Sequence, residues 1–237
     1  MFKHLLTLIA AATLATTARG DEAAVRAALQ RAFPQNSVQV ISKTPVSDLL
    51  EATIDGQILY VTENGRYILD GPLLDVETGR NLTEARLEQI NAIPFERLPL
   101  DLAFKWVKGT GARRVAIFED PDCPYCKQLE QTLKNVNNLT VYVFLYPIDQ
   151  LHPDAAAKSR AVWCAPDRAK AWHEVMRTGV APANGGQCDN PIAKIADFAR
   201  RHRISGTPTM ILADGRRLVG AVPRAEVEKQ LLRSARP

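Results

Sequence analysis

Val115-Ala116-Ile117-Phe118-Glu119-Asp120-Pro121-Asp122-Cys123-Pro124-Tyr125-Cys126-Lys127-Gln128-Leu129-Glu130-Gln131-Thr132-Leu133 is the stretch from which the fold of this 237-residue chain can be read. Val115 to Phe118 is a short apolar run of the kind that forms a buried strand, and Lys127 to Leu133 continues as a helix. Two thiols with two residues between them can close a disulfide across one helical turn and open it again. The strand–helix setting places Cys123 at a helix N-terminus, where unpaired backbone N–H groups and the helix dipole favour thiolate over thiol. Pro124 then occupies the first helical position, where its fixed φ and missing N–H are harmless. Half a zinc site, or a fortuitous pair, is the competing reading.

The rest of the cysteine usage bears on that choice. Lys3 and His4, the apolar run Leu5 to Leu14 and the small-x-small Ala18-Arg19-Gly20 have the order of a secretory signal, expected over residues 1–20. The apolar run is shorter than the ~20 residues of a membrane-spanning helix. Export, in a bacterium to the periplasm, puts all four cysteines in an oxidising compartment, where an even count argues for disulfides. Cys164 and Cys188 form a distant pair with 23 residues between them. A four-cysteine zinc site would need two close pairs, so no metal or cofactor is expected. A bridge between Cys164 and Cys188, stabilising by roughly 3 kcal/mol on the chain-entropy estimate, is the preferred reading; a second redox pair is the alternative.

Of the 30 Lys and Arg residues, Lys3 and Arg19 lie in the signal, which leaves 28 against 26 acidic residues. Neither nucleic acid nor stable membrane insertion is implied by that balance, and the basic runs 112–114 and 200–203 read as solvated faces. The mature length of about 217 residues calls for two modules.

Glu22 to Phe33 has helical periodicity and stops before Pro34. Strand-like runs follow at 37–42, 49–54, 57–62 and 66–70, separated by Asp55-Gly56 and Asn64-Gly65, which are hairpin signals. Residues 21–81 are therefore expected to be a small α+β module, one helix on an antiparallel sheet. So small a core is marginal alone, and its sheet edge near Arg66–Val76 invites pairing with a second copy. Asn81-Leu82-Thr83-Glu84 reads as a capping box. The helix it opens runs into Pro94 and Pro99, so 82–103 is expected to be a linker helix and proline-punctuated connection.

From 104 to 237 strands and helices alternate: strands at 114–118, 140–145, 209–212 and 217–219, helices at 123–135, 153–164, 166–177, 191–203 and 223–232. A parallel βαβ start and a closing hairpin make this an α/β layer. Taken with the CxxC, it is a thioredoxin-type fold with a helical insertion at about 147–203.

Within that fold Cys123 is expected to be the partly exposed attacking thiolate and Cys126 the shielded resolving thiol. Asp120 and Asp122 add opposing negative charge, much of which a solvated loop would screen. Gly206-Thr207-Pro208-Thr209 resembles the X-Pro that thioredoxin-like proteins carry in cis against the CxxC before the penultimate strand; an ordinary turn is the competing reading. A cis X-Pro costs only about 0.5–1 kcal/mol, so packing can hold it. The Thr207 backbone is then expected to be open to an extended substrate, with its hydroxyl near the sulfurs.

With these residues in view, the chain resembles the periplasmic DsbC/DsbG family of protein disulfide isomerases, and its DsbC branch more closely. The likeness is carried by Asp21-Glu22-Ala23-Ala24, Tyr60-Val61-Thr62 through Gly71-Pro72, the CxxC, Ala161-Val162-Trp163-Cys164-Ala165 and Ser205-Gly206-Thr207-Pro208. It implies a cystatin-like N-terminal dimerisation domain, a V-shaped homodimer, and a DsbD-type membrane reductase as partner. It also implies misoxidised exported proteins as substrates, with Pro124 and Tyr125 joining Thr207 and Pro208 in positioning them. Pro124-Tyr125 departs from the Gly-Tyr common in the DsbC branch and is similar to DsbG and to glutaredoxins, whereas the Cys164/Cys188 pair favours DsbC. The function expected is isomerisation and reduction of wrong disulfides. Against it stand a DsbG-like reductase or chaperone protecting single cysteines and a DsbA-like oxidase.

Overall fold

The computed structural model describes residues 18–235, with side chains from residue 22. The expected signal segment thus lies outside the described residues except for 18–20, which form the first turn of a helix. The chain divides between Leu87 and Glu88 into two compact units.

The first unit opens with α1 (Ala18–Ala32), which starts upstream of the predicted Glu22. It buries Val25 and Leu29 against an antiparallel sheet of β1 (Val38–Lys43), β2 (Leu49–Ile54), β3 (Gln57–Thr62) and β4 (Ile68–Leu69), hydrogen-bonded in that order. Asp55 and Gly56 both have positive φ, 50° and 83°, and Ile54 pairs directly with Gln57. A two-residue hairpin whose twist suits its strands needs that geometry. Gly65, φ +67°, passes so near α1 that a Cβ there would meet the Ala28 Cβ at 3.1 Å. The core is small: Val25, Leu29, Ile41, Leu50, Ala52, Ile54 and Val61. β5 (Leu74–Asp75) and β6 (Arg80–Asn81) make a separate two-stranded ribbon.

The division between units falls inside α2 (Leu82–Ile90). Its start has half of the predicted capping box, the Glu84 amide donating to Asn81 Oδ1 at 3.0 Å. The stretch after it differs from a connection. Short 3-10 turns at Phe95–Arg97 and Leu100–Leu102 fold it onto the second unit, where Ile93, Phe95 and Leu98 are buried with Phe118, Phe144 and Ile211. Apolar burial of this size outweighs the turn-forming tendency of the two prolines.

The second unit is a five-stranded sheet. In chain order its elements are β7 (Phe104–Lys108), β8 (Arg113–Glu119), α3 (Pro124–Leu133) and β9 (Leu139–Leu145), then α4 (Ala155–Trp163), α5 (Arg168–Thr178) and α6 (Ile192–Arg201) of the insertion. β10 (Thr209–Leu212), β11 (Arg217–Val219) and α7 (Arg224–Ser234) close the chain. The strand order is β11-β10-β8-β9-β7; only β8 and β9 are parallel. β7 was not foreseen as a strand, and it forms the antiparallel edge beside β9.

β8 is buried on both faces, as its unbroken apolar run requires. Val115 and Ile117 face α3, α5 and α7, in a core with Leu129, Leu133, Trp172, Val175 and Leu231. Ala116 and Phe118 face α6 and the 93–98 segment. Phe118 is stacked between Phe144 (4.6 Å) and Phe198 (6.0 Å). That packing fixes the end of β8, and with it the loop that carries the cysteines.

Candidate active site

The loop leaving β8 turns sharply into α3. The Cys123 amide donates to the Asp120 carbonyl at 3.2 Å, and Cys123 stands as the N-cap with Pro124 first in the helix. Both thiols are free. The structure corrects the exposure expected of Cys123: it is only 4% exposed, and Cys126 is fully buried. The cover over Cys123 is the Thr207–Pro208 loop, which is 84 residues away in sequence and therefore invisible to an argument from a helix terminus. The Thr207–Pro208 peptide is cis, and the Cys123 thiol donates to the Thr207 carbonyl at 3.3 Å. Among the described residues the Thr207 N–H has no partner. Tyr125, 61% exposed, flanks the pair on the solvent side.

Electrostatically the two thiols are driven apart. Hydrogen bonding from the Cys126 thiol brings Cys123 down to about 5, helped by the Thr207 side chain and the amides of Cys126 and Tyr125, against the opposing effect of burial. Burial, the bond to Cys123 and the nearby Glu119 push Cys126 far up. At neutral pH one sulfur is a thiolate and its neighbour holds a proton, the division of labour that thiol exchange requires.

The two aspartates do not lie in a solvated loop. Asp120 is fully buried and its carboxylate accepts from the amides of Asp122 (2.8 Å) and Ile148 (2.7 Å), with His152 Nδ1 at 2.9 Å. Its own amide points at Cys126 Sγ, 3.5 Å away. Asp122 is paired with Lys158 Nζ at 2.6 Å. Their charges are met by protein groups of the helical insertion, so water screening is not what spares the thiolate.

Cys164 and Cys188 are bonded to each other, with Cα atoms 5.6 Å apart. The bridge ties the C-terminus of α4 to the loop before α6 and brings neither sulfur to the active-site pair. Arg168 stacks on Trp163 (3.6 Å to the ring centroid), and Trp163 Nε1 donates to the Asp189 carbonyl at 3.1 Å, closing the same corner.

A thioredoxin-like domain profile matches residues 100–235, and the N-terminal domain profile of the disulfide bond isomerases matches residues 16–84. A probable thiol:disulfide interchange protein DsbC of Bordetella pertussis is 43% identical over 88% of this chain and 73% of its own length. The chain belongs to the DsbC family. Escherichia coli DsbC is 31% identical over 96% of this chain and 93% of its own. A disulfide interchange protein from Neisseria gonorrhoeae, solved as a crystal structure, superposes with a TM-score of 0.56 at 43% identity, covering 59% of this chain and all of that one. The chain is thus a thiol–disulfide oxidoreductase of the disulfide isomerase type, with the thioredoxin fold expected, and its N-terminal match supports a homodimer. Among the described residues no helix is long and apolar enough to cross a membrane.

Two site residues escaped the sequence reading. Glu119, at the end of β8, and Glu130, on α3, are both buried. Glu119 has the strand parity of Val115 and Ile117, and Glu130 stands one turn after Cys126. Those positions were the available signal.

Proposed function

We propose that the chain isomerises and reduces wrongly paired disulfides through Cys123 and Cys126. Cys123 attacks a client disulfide, forming a mixed disulfide and releasing one client sulfur as a thiolate. If the released thiolate attacks another client disulfide, and the thiolate freed there attacks the client sulfur bonded to Cys123, a new client disulfide forms as the Cys123–client bond breaks, so pairing is corrected and Cys123 is returned. If the complex stalls, Cys126 displaces the client and leaves it reduced. The observation that carries this reading is the pair's asymmetry: a thiolate at the cap of α3 beneath the Thr207 carbonyl, and a buried thiol behind it. The open Thr207 N–H, Pro208, Pro124 and the exposed Tyr125 ring would hold an extended client segment, and the Cys164–Cys188 bridge serves structure.

Family membership supports a wider setting. Residues 1–20 act as a signal for export to the periplasm. The module at 21–81 joins two copies, α2 begins the linker at residue 82, and the catalytic domain runs from 104 with the 93–103 segment packed into its core. A DsbD-type membrane reductase keeps the pair reduced, and misoxidised exported proteins are the clients. Pro124-Tyr125 favours a second balance of activities, weighted towards reduction as in DsbG.

Trapping tests the roles. Cys126→Ala should accumulate mixed disulfides with clients, and Cys123→Ala should form none and lose isomerisation. Preferential alkylation of Cys126 by iodoacetamide in the reduced native protein would overturn the assignment.

A further inference from the structure

Cys126 must lose its proton before it can resolve anything, yet it is fully buried and no solvent base reaches it. The groups behind it are unusual for an apolar core. Glu119 is 0% exposed, and neither of its carboxyl oxygens makes a hydrogen bond of ordinary geometry. Leaving such atoms unpartnered costs roughly 1–3 kcal/mol each, so their retention calls for an explanation. By strand parity Glu119 falls on the same face of β8 as Val115 and Ile117, which pack in the core with α3. Cys126 and Glu130 share the buried face of α3 at i,i+4 spacing. Glu130 Oε1 accepts from Trp172 Nε1 at 2.9 Å, and Glu130 Oε2 lies 3.9 Å from His173 Nε2. The His173 side chain is 45% exposed. It opens into a pocket of 260 Å³ lined by Trp106, Lys108, Glu130, Lys134 and His173.

We propose that Glu119 and Glu130 form a buried proton relay that takes the Cys126 proton and passes it to His173 and the pocket beyond. This rests on the roles given to the two cysteines above.

The groups facing the relay decide where its charge sits. Glu119 faces Glu130, Cys123 and Cys126; burial first, then the Glu130 charge, keeps Glu119 protonated. Glu130 is also raised by burial, but Trp172, His173 and Lys134 favour its anion. The resting pair therefore holds one proton, on Glu119. In resolution Glu119 hands that proton to Glu130 and accepts the one from Cys126. The Cys126 thiolate attacks Sγ of Cys123 in the mixed disulfide. The new Cys123–Cys126 bond forms as the Cys123–client bond breaks, the enzyme pair is oxidised, and the client sulfur leaves as a thiolate that takes a proton from water. Glu130 returns to its anion by giving its proton to solvent through His173. The reverse sequence delivers a proton to Cys126 when the pair is reduced again.

Stopped-flow decay of a mixed disulfide between the full-length protein and a client peptide tests this. Glu119→Gln and Glu130→Gln should slow resolution by about 100-fold, the lower range of general acid–base effects, and flatten its pH profile. Alkylation of Cys123 should stay near the wild-type rate. His173→Gln should slow resolution less, with added imidazole restoring it through the pocket. Resolution by Glu119→Gln at the wild-type rate overturns the relay, and a His173→Gln protein that is neither slowed nor rescued overturns the exit. If Cys126→Ala fails to trap clients, the cysteine roles themselves are wrong; if it traps them and Glu119→Gln resolves normally, only the relay is. The wild type gives an independent readout should a variant not fold. Its infrared spectrum should contain the C=O stretch of a buried carboxylic acid in the reduced and the oxidised state alike, and absence of that band from either state overturns the proposal.

Discussion

An alkylating reagent presented to the reduced protein meets a thiolate at Cys123 over nearly the whole neutral range. The rate of iodoacetamide labelling should rise with pH around a midpoint near 5, followed by mass spectrometry of the Cys123 peptide. The largest contribution is the Cys126 thiol, so Cys126→Ala should move that midpoint upward, and Thr207→Val should move it upward by less. The same shift links to stability. Cys123 ionises in the native state well below the pH at which it does so in the unfolded chain. Between about pH 5 and the ordinary thiol range the unfolded state binds the extra proton, and stability of the reduced protein rises with pH there. Urea titrations of the reduced protein at pH 5 and pH 8 would report the sign. Little of this was open to inspection in the sequence. The helix-terminal position of Cys123 was, because capping is local. Its burial was not, because the loop covering it arrives from Thr207. Glu119 and Glu130 were not singled out, since a carboxyl inside an apolar run declares itself only when strand parity and helix phase are superimposed.

Among the elements, the hairpins were the most legible. β2, β3, β10 and β11 match their predicted bounds, because Asp55-Gly56 and Asp214-Gly215 fix turn and register within a few residues. β7 was missed because an edge strand is defined by its partner, and β9 follows only after β8 and α3. The 93–103 segment was misjudged for a related reason: its prolines are local, whereas the core that buries Ile93 and Phe95 is assembled from β8, β9 and α6. The insertion is attached to the active-site loop by Asp120 and Asp122, and that attachment can be measured. Asp120→Ala leaves the amides of Asp122 and Ile148 without their acceptor and should cost about 2–4 kcal/mol in urea unfolding, at one to two kcal/mol per orphaned donor. Cys164→Ser with Cys188→Ser should cost about 3 kcal/mol on the loop-entropy estimate, with the Cys123 labelling midpoint unchanged.

At the scale of the whole molecule the division of activities is the sharp expectation. A fragment beginning at residue 82 should sediment as a monomer, reduce insulin, and lose most of its ability to refold scrambled ribonuclease. Reduction needs one encounter and resolution through Cys126; isomerisation needs the client retained while it re-pairs, which a second arm provides. A fragment that stayed dimeric, or isomerised at the full rate alone, would count against the pairing of N-terminal modules. The bond between Cys164 and Cys188 also bears on the protein's own birth. Under the export proposed above, a new copy arrives with four thiols, and four thiols can join in three ways. Only one of them places the permanent bridge at the corner of the insertion and leaves the reactive couple to itself. Under the proposed function each new copy must itself gain one disulfide and keep its other two thiols free before it can act on a client.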